Sequence, residues 1–400
     1  MIAGASAVDT AGCSEKAHSE RPYRKKSSGM NVNQSESTPN RTGKMFVARL
    51  ESLRGVAAMM VAVGHALIVI DLQGVQLFLT KLLLLVANGR AAVTIFFVMS
   101  GYVLGRSLTR NSVPLTKCLM PFFTRRVFRI YPVLIVTTLG FLPLLSLDWA
   151  PHEQPWASKW FVGVFPKPPR LTELLQNLLL ISPTVSAVSW SLKVEIIGSL
   201  MLPFLHQVHR SFSWLGSLVF LLALLLTAAF SSSPEAAGSH LYLFWLGYAL
   251  CHFPKFNIET SPKAGLLKLF CSGAGACWLG ARLIHFSPLV SHLVEGIGAT
   301  GIVLGILMFP EARLFSFLDH PAIRFLGRIS YSFYLVHWLV LIFSAPLLVP
   351  LLIDRLPSID GILLSLLLAL VSIAGALPLS WLCYRYVEMP VNDFGRKLAA

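Results

Sequence analysis

The chain has 400 residues, of which 55% are hydrophobic and 13% charged, and its formal net charge is +14 at pH 7. So apolar a composition excludes an ordinary soluble domain and is typical of a polytopic membrane protein. A basic chain can also bind nucleic acid, but here the basic residues alternate with long apolar runs, so the positive-inside rule explains them better. The six cysteines form no CxxC pair and no His/Cys ligand spacing, so we expect neither a disulfide framework nor a metal site.

The first 45 residues differ in composition from the rest of the chain. They are rich in Ser, Asn, Lys and Arg and contain no apolar run. This predicts a disordered basic tail in the cytoplasm rather than a signal peptide, which needs a hydrophobic region. We expect a transmembrane domain over 46–390 and a short C-terminal tail over 391–400. Translation can start at Met1, Met30 or Met45.

Ten apolar segments then predict an all-α, polytopic membrane protein with about ten transmembrane helices. The two weakest predictions are 131–148 and 239–254, because each is short for a helix that must cross about 30 Å of hydrocarbon. The ten segments cover 46–71, 82–107, 131–148, 188–208, 213–231, 239–254, 265–284, 293–310, 329–353 and 361–384.

The distribution of basic residues orients these segments. With a cytoplasmic N-terminus and alternating spans, 25 of the 33 Lys and Arg residues fall on the cytoplasmic side and 8 on the outer side. Basic loops stay inside, so this bias favours the orientation over its reverse. An even number of spans places both termini in the cytoplasm. We expect a multi-pass protein of the cell membrane, inner or plasma.

The first apolar segment carries two ionisable residues, Arg54 and His65. Eleven helical steps of about 100° return nearly to the same face, and the rise separates the two residues by roughly 16 Å. Arg54 then lies near a membrane surface and His65 well inside. Ionisable groups at such depth are expensive to bury, so they indicate a functional site. The structural alternative is an arginine that reaches the interface and a histidine bonded to a neighbouring helix.

Two further stretches carry charged or polar groups. Arg126 and Arg129 are three residues apart and share a helix face. They act either as topology anchors or as a clamp for the phosphates of a cytoplasmic nucleotide donor. Ser191 and Glu195 share a face at the start of the fourth segment. A carboxylate there needs a partner, and we considered Arg90, the surroundings of Lys193 or a histidine such as His65.

The ninth segment opens with a second intramembrane histidine, His337, preceded by Tyr331 and Tyr334. The tyrosines, at three-residue spacing, can direct hydroxyl groups inward. For His337 we favour packing over catalysis, with ligand binding left open.

These motifs together resemble the acyltransferase-3 family of integral membrane enzymes, which O-acylate sugars of cell-surface and secreted glycans and some small molecules. The resemblance covers about 46–390 and keeps the family order. Its elements are Leu53-Arg54-Gly55 with His65, Phe96 to Tyr102, Arg126-x-x-Arg129 before Ile130-Tyr131-Pro132, Trp190-Ser191-Leu192 with Glu195, Ile329-Ser330-Tyr331 through His337, and Tyr386 to Pro390.

The resemblance implies a donor, an acceptor and a set of site residues. The donor is acetyl-CoA or another acyl-CoA, used without a metal, and the acceptor is a glycan or a glycosylated small molecule. The residues expected to hold the donor are Arg54, Arg126 and Arg129. Those expected in catalysis are His65, Glu195 and Ser191. Those expected to bind the acceptor are Trp190, Tyr331 and His337.

Within this scheme His65 acts as a general base, because an imidazole titrates near neutral pH. Transient acylation of His65 is an alternative. A second function class is a proton-coupled transporter, with His65, Glu195 and His337 as a relay. A third is a structural membrane subunit, which does not need charged motifs at these depths.

Overall fold

The structure is a computed structural model that describes residues 39–109, 115–145, 154–165, 169–231, 233, 235–253, 263–280, 287–309 and 312–399. Within these ranges the chain is helical apart from its connections and one isolated antiparallel bridge between Ile70 and Ala157. The prediction of an all-α membrane protein is therefore confirmed. Most of the predicted basic tail, over 1–38, lies outside the described residues.

The described residues form fourteen α-helices. They are α1 (Pro39–Leu67), α2 (Gly74–Val86), α3 (Gly89–Thr109), α4 (Leu115–Gly140), α5 (Leu142–Leu145), α6 (Lys159–Val164), α7 (Leu171–Leu178), α8 (Trp190–Ala229), α9 (Leu241–Leu250), α10 (Lys263–Gly280), α11 (Pro288–Met308), α12 (Pro321–Arg355), α13 (Gly361–Cys383) and α14 (Met389–Leu398). A π-helical turn, Tyr384–Glu388, joins α13 to α14.

Six segments of the described chain are long and apolar enough to cross a membrane. The number of spans, predicted as about ten, and the side of each terminus stay predictions. The six segments are Ala48–Leu67, Gly74–Thr109, Ala187–Ala229, Pro288–Met308, Pro321–Arg355 and Gly361–Leu398.

The third of these segments, Ala187–Ala229, contains two helices rather than one. Its 43 residues would extend roughly 65 Å as a straight helix, about twice the thickness of a bilayer core. Ser213 interrupts it with φ 55° and ψ −149°, outside the helical region. The interruption falls where the sequence predicts the boundary between the spans 188–208 and 213–231.

Two glycines bring α1 and α12 into backbone contact. A Cβ atom on Gly55 would lie 2.5 Å from the backbone nitrogen of Gly327, and one on Gly327 would lie 2.6 Å from the Glu51 carbonyl oxygen. Small residues allow such close approach between membrane helices. His65 and His337 each lie ten residues after their glycine and contact each other. The glycine crossing therefore sets the register that pairs the two histidines.

A similar contact joins α3 to α9. A Cβ atom on Gly101 would lie 2.3 Å from the Phe244 carbonyl oxygen, and one on Gly247 would lie 2.0 Å from that of Val98. Because glycine has no side chain, the two helices approach closely at these positions. The contact fixes the face of α3 that carries Phe96 and Ser100, both of which line the site described below.

An ion-pair cluster connects the start of α1 to the segment before α12. The Arg49 guanidinium donates to both carboxylate oxygens of Asp319, with Nε 2.9 Å from Oδ2, and Arg324 Nη2 donates to Oδ1 at 2.9 Å. These bonds hold the pKa of the Asp319 carboxyl below its ordinary value. The cluster stabilises the same pair of helices that the glycines bring together.

Candidate active site

Three neighbouring cavities lie between the helices that carry the predicted motifs. The arginine cavity includes Arg54, Arg125, Arg129, Arg328 and Arg396 in its lining. The central cavity is lined mainly by α1, α3, α4, α8 and α12. The histidine cavity contains His65 and His240.

Neighbouring cavities share some of their lining residues. Arg54, Arg129 and Ser330 belong to both the arginine and the central cavity. Val93 and Tyr334 belong to both the central and the histidine cavity. The order is therefore arginine, central, histidine. Helix α1 runs along this line, because Arg54 lies at the first junction and His65 in the last cavity, as their spacing predicts.

His65 is enclosed by aromatic rings. Trp160 stacks on its ring with centroids 5.5 Å apart, and Trp338 approaches edge-on at 5.3 Å. The Nδ1 atom of His65 lies 3.1 Å from Nε2 of His337. These contacts fix the orientation of the imidazole in the wall of the cavity.

A chain of hydrogen bonds assigns the tautomers of the two histidines. His337 Nδ1 lies 3.2 Å from the Phe333 carbonyl oxygen, and a carbonyl only accepts, so this nitrogen carries the proton. In a neutral ring Nε2 of His337 then accepts a hydrogen bond, and Nδ1 of His65 donates it. The assignment leaves Nε2 of His65 unprotonated, which is the form that a general base requires.

Glu195 lines the central cavity and is bound there by two neighbouring side chains. Its carboxylate forms a buried ion pair with Arg126 and accepts a hydrogen bond from the Ser100 hydroxyl at 2.8 Å. Arg126 also donates from Nε to Ser199 Oγ at 3.0 Å. Among the described contacts the partner of Glu195 is therefore Arg126, rather than Arg90 or a histidine. The hydrogen-bonded partner of His65 is His337.

The two members of the arginine pair have different surroundings. The Arg126 guanidinium is engaged by Glu195 and Ser199 in the central cavity. Arg129 lines both the arginine and the central cavity. The role of the pair in donor binding stays a prediction, but the structure places Arg129 and Arg54 at the junction where a ligand would pass.

Ser191 and the two tyrosines of α12 line the central cavity. The Ser191 hydroxyl lies 2.9 Å from the Tyr334 hydroxyl and 3.0 Å from the Val188 carbonyl oxygen. Tyr331 donates its hydroxyl hydrogen to the Ile130 carbonyl oxygen at 2.5 Å. Tyr331 thus lines the central cavity, whereas Trp190, which is also expected to bind the acceptor, lines the histidine cavity.

The histidine cavity has aromatic walls and a charged rim. Trp160 and Trp190 line it, together with Arg90, Glu235 and His240. Trp190 is held by a tilted ring contact with His240 at 5.1 Å. The volume of this cavity, about 470 Å³, is several times that of the central cavity, about 60 Å³. The larger cavity has room for a bulky substrate, and aromatic walls with a few polar groups are common in ligand sites.

Two acidic residues reduce the net positive charge of the arginine cavity. Glu51 and Glu388 belong to its lining, and Glu388 accepts a hydrogen bond from Ser332 at 2.6 Å. Five arginines outnumber them, so the cavity as a whole attracts anions.

Several residues of the site are not predicted by the sequence. Trp160 lies outside the ten predicted segments, yet its ring stacks on His65. Glu388 belongs to the Tyr386–Pro390 motif, in which the sequence alone indicates no chemistry. Glu235 and His240 stand in a connection and at the start of α9, without a motif. A carboxylate buried to 4% exposure, as Glu388 is, is the kind of signal that only the fold reveals.

A family model described as "Acyltransferase domain" matches residues 47–385, which is most of the chain. The chain belongs to the acyltransferase-3 family. Acyltransferase MdmB of Streptomyces mycarofaciens is 27% identical to it over 293 residues, which are 66% of this chain and 70% of that protein. A search of solved structures found no match.

Membership of the acyltransferase-3 family, together with the apolar helices, identifies a multi-pass membrane acyltransferase that transfers groups other than amino-acyl groups. The family match contains every residue that lines the central and histidine cavities. It contains most of the arginine cavity as well, but Glu388 and Arg396 of that cavity lie beyond residue 385. The line of cavities is therefore the candidate active site of this enzyme.

Proposed function

We propose that this acyltransferase moves an acyl group, acetyl in the simplest case, from cytoplasmic acyl-CoA to a sugar hydroxyl on the opposite side of the membrane. The observation that carries the proposal is the line of three adjacent cavities, with shared lining residues, from five arginines to His65. A donor and an acceptor can enter such a line from opposite ends. The acceptor is a glycan or a glycosylated small molecule in the cell envelope, and the membrane is the cell membrane.

The donor fits the arginine end for electrostatic reasons. The phosphates of coenzyme A are anions, and arginine recognises phosphate with paired, charge-assisted hydrogen bonds. Arg54 and Arg129 stand where this cavity opens into the central one. With the phosphates held there, the extended pantetheine arm directs the thioester into the central cavity.

The acceptor fits the other end. The tryptophans of the histidine cavity offer flat apolar faces for a sugar ring, and its polar groups can hydrogen-bond hydroxyls. His65 Nε2 takes the proton of the acceptor hydroxyl, and the oxygen attacks the thioester carbonyl carbon. The C–S bond then breaks, an ester forms, and the coenzyme A thiolate leaves and is protonated. His337 orients His65 throughout.

The test uses purified protein in lipid nanodiscs, radiolabelled acetyl-CoA and a panel of sugar glycosides. The proposal expects labelled sugar and free thiol in equal amounts, with His65→Ala as the inactive comparison. A transporter would release no thiol. Absence of thiol release above the His65→Ala level with every short acyl-CoA tried would contradict the proposal.

A second experiment identifies the acceptor. Mass spectrometry of envelope glycans from cells with the wild-type protein and cells with His65→Ala should differ by one acyl mass on one glycan. Rapid denaturation at neutral pH during turnover addresses the acyl-histidine alternative, because a covalent intermediate would leave label on the wild-type protein, and acid treatment would then release it.

A further inference from the structure

Tyr334 occupies the boundary between the two cavities in which donor and acceptor are proposed to meet. Its side chain lines both the central and the histidine cavity, and it is 6% exposed. The ring contacts Phe96 edge-on at 5.6 Å and lies 5.7 Å from the ring of His337. It is therefore held between an aromatic wall and the histidine pair, so the position of its hydroxyl group is fixed in advance.

The Tyr334 hydroxyl belongs to a network with a choice of hydrogen positions. It lies 2.9 Å from Ser191 Oγ, which in turn lies 3.0 Å from the Val188 carbonyl oxygen. When Ser191 donates to Val188, Tyr334 can donate to Ser191. When Ser191 donates to Tyr334 instead, the tyrosine hydrogen can turn to the Val188 carbonyl oxygen, 3.5 Å away, or to the oxygen of a ligand. The switch needs only rotation of two hydroxyl groups.

Two neighbouring polar groups of the central cavity are already engaged. The Tyr331 hydroxyl donates to the Ile130 carbonyl oxygen at 2.5 Å. The Arg126 guanidinium is engaged by Glu195 and Ser199. Tyr334 differs from both, because it lies at the boundary with the histidine cavity and can turn its hydrogen toward a ligand.

We infer that Tyr334 is a catalytic residue that donates a hydrogen bond to the carbonyl oxygen of the thioester. The inference rests on the proposed function. As the acceptor oxygen bonds to the carbonyl carbon, negative charge develops on the carbonyl oxygen, and the Tyr334 hydroxyl stabilises it. When the C–S bond breaks, the carbonyl double bond reforms and the thiolate carries away the electron pair. Tyr334 keeps its proton throughout, and Ser191 is its positioning residue.

The test compares Tyr334→Phe with wild type in the acetyl-CoA assay. Loss of one such donor lowers kcat by about 10²–10³-fold in an enzyme with a preorganised site. The affinity for acetyl-CoA, measured by titration calorimetry, should change by less than about threefold, since coenzyme A is held at the arginine end. Tyr242→Phe is the matched control, because it also removes a buried hydroxyl bonded to a carbonyl, that of His292, away from the three cavities.

A second readout separates chemistry from folding. Fluoroacetyl-CoA has a more electrophilic carbonyl carbon and needs less stabilisation of the oxyanion. The ratio of wild-type to Tyr334→Phe rates should therefore be several-fold smaller with fluoroacetyl-CoA than with acetyl-CoA. Ser191→Ala should lower kcat less than Tyr334→Phe does.

Three results would overturn the inference. One is a Tyr334→Phe rate within about threefold of wild type, the size of the change allowed for donor binding. Another is an equal loss with both donors, which would assign Tyr334 a structural role. Inactive wild-type protein would overturn the proposed function as well, whereas active wild type with either of the first two results would overturn this inference alone.

Discussion

The Nδ1 atom of His65 lies 3.1 Å from Nε2 of His337, although 272 residues separate them in the chain. Each histidine follows by ten residues the glycine at which α1 and α12 touch. The pairing is therefore a consequence of helix packing, and it converts two isolated intramembrane histidines into an oriented base and its support. A base held by a second group, itself held by a third, is a common arrangement in enzymes that activate a hydroxyl.

The glycine crossing gives the first prediction. Gly55→Ala places a Cβ atom 2.5 Å from the backbone of Gly327, so the helices must separate. Overpacking of this kind destabilises by roughly 1–3 kcal/mol. Activity per folded molecule should also fall, because His337 moves away from His65. Thermal unfolding and the acetyl-CoA assay measure the two effects.

Gly265→Ala is the control for this change, since nothing lies within 4 Å of a Cβ atom there. This substitution should leave both the stability and the activity per folded molecule near their wild-type values. If Gly55→Ala behaves as Gly265→Ala does, the crossing does not set the histidine register.

The buried ion pair gives the second prediction. Arg126→Ala leaves the Glu195 carboxylate buried without its cation, and such a loss costs roughly 3–5 kcal/mol. The double variant Arg126→Ala with Glu195→Ala should recover part of the lost stability, because the unpaired charge is gone. Thermal unfolding of Arg126→Ala, Glu195→Ala and the double variant measures this coupling. Equal melting temperatures for Arg126→Ala and wild type would show that the ion pair does not stabilise the fold.

The third prediction concerns the donor. Arg129→Ala should weaken acetyl-CoA binding by roughly 1.5–3 kcal/mol, the value of a charge-assisted hydrogen bond. The affinity of the wild-type protein should also fall as salt rises, because phosphate contacts are screened. Titration calorimetry at two salt concentrations tests both. Arg355→Ala, on the exposed end of α12 and outside the three cavities, is the matched control. Equal effects of the two substitutions would contradict the assignment of the arginine cavity to coenzyme A.

The cluster at Asp319 gives a pH-dependent prediction. Hydrogen bonds from Arg49 lower the pKa of the Asp319 carboxyl in the folded chain. Its contribution to stability is fully present above the pKa of the unfolded chain, about 3.9, and is lost as pH falls through the lower folded value. Asp319→Asn should therefore lower the melting temperature at pH 7, and this difference should shrink as pH falls below about 3.9. A difference between the two proteins that does not change with pH would be inconsistent with the ion-pair cluster.

The sequence predicts the helical class, the shared face of Arg54 and His65, and the break between the spans within Ala187–Ala229. All three depend on local periodicity or on polar residues in apolar runs, which are visible in one chain. The family also follows from ordered motifs. The number of spans and the cytoplasmic termini stay predictions that reporter fusions can address.

Partnerships across helices do not follow from the sequence. Glu195 pairs with Arg126, 69 residues away, because α4 and α8 pack side by side. Trp160 reaches His65 from a short helix between predicted spans. Each depends on the relative position of helices, which periodicity does not encode. Glu388 is similar, since its bond to Ser332 exists only after α12 and the π-helical turn meet.

The most direct test of the account is the specific activity of His65→Ala per folded molecule, measured beside a thermal melt. Loss of a general base should lower the transfer rate per folded molecule by about 10²–10⁴-fold, far more than any loss of folded protein. His337→Ala should be milder. His206→Ala is the control, because His206 is a buried histidine bonded to Tyr248 outside the three cavities, and its loss should lower stability while activity per folded molecule persists. Near-normal specific activity of His65→Ala, or a loss no greater than its loss of folded protein, would contradict the central claim.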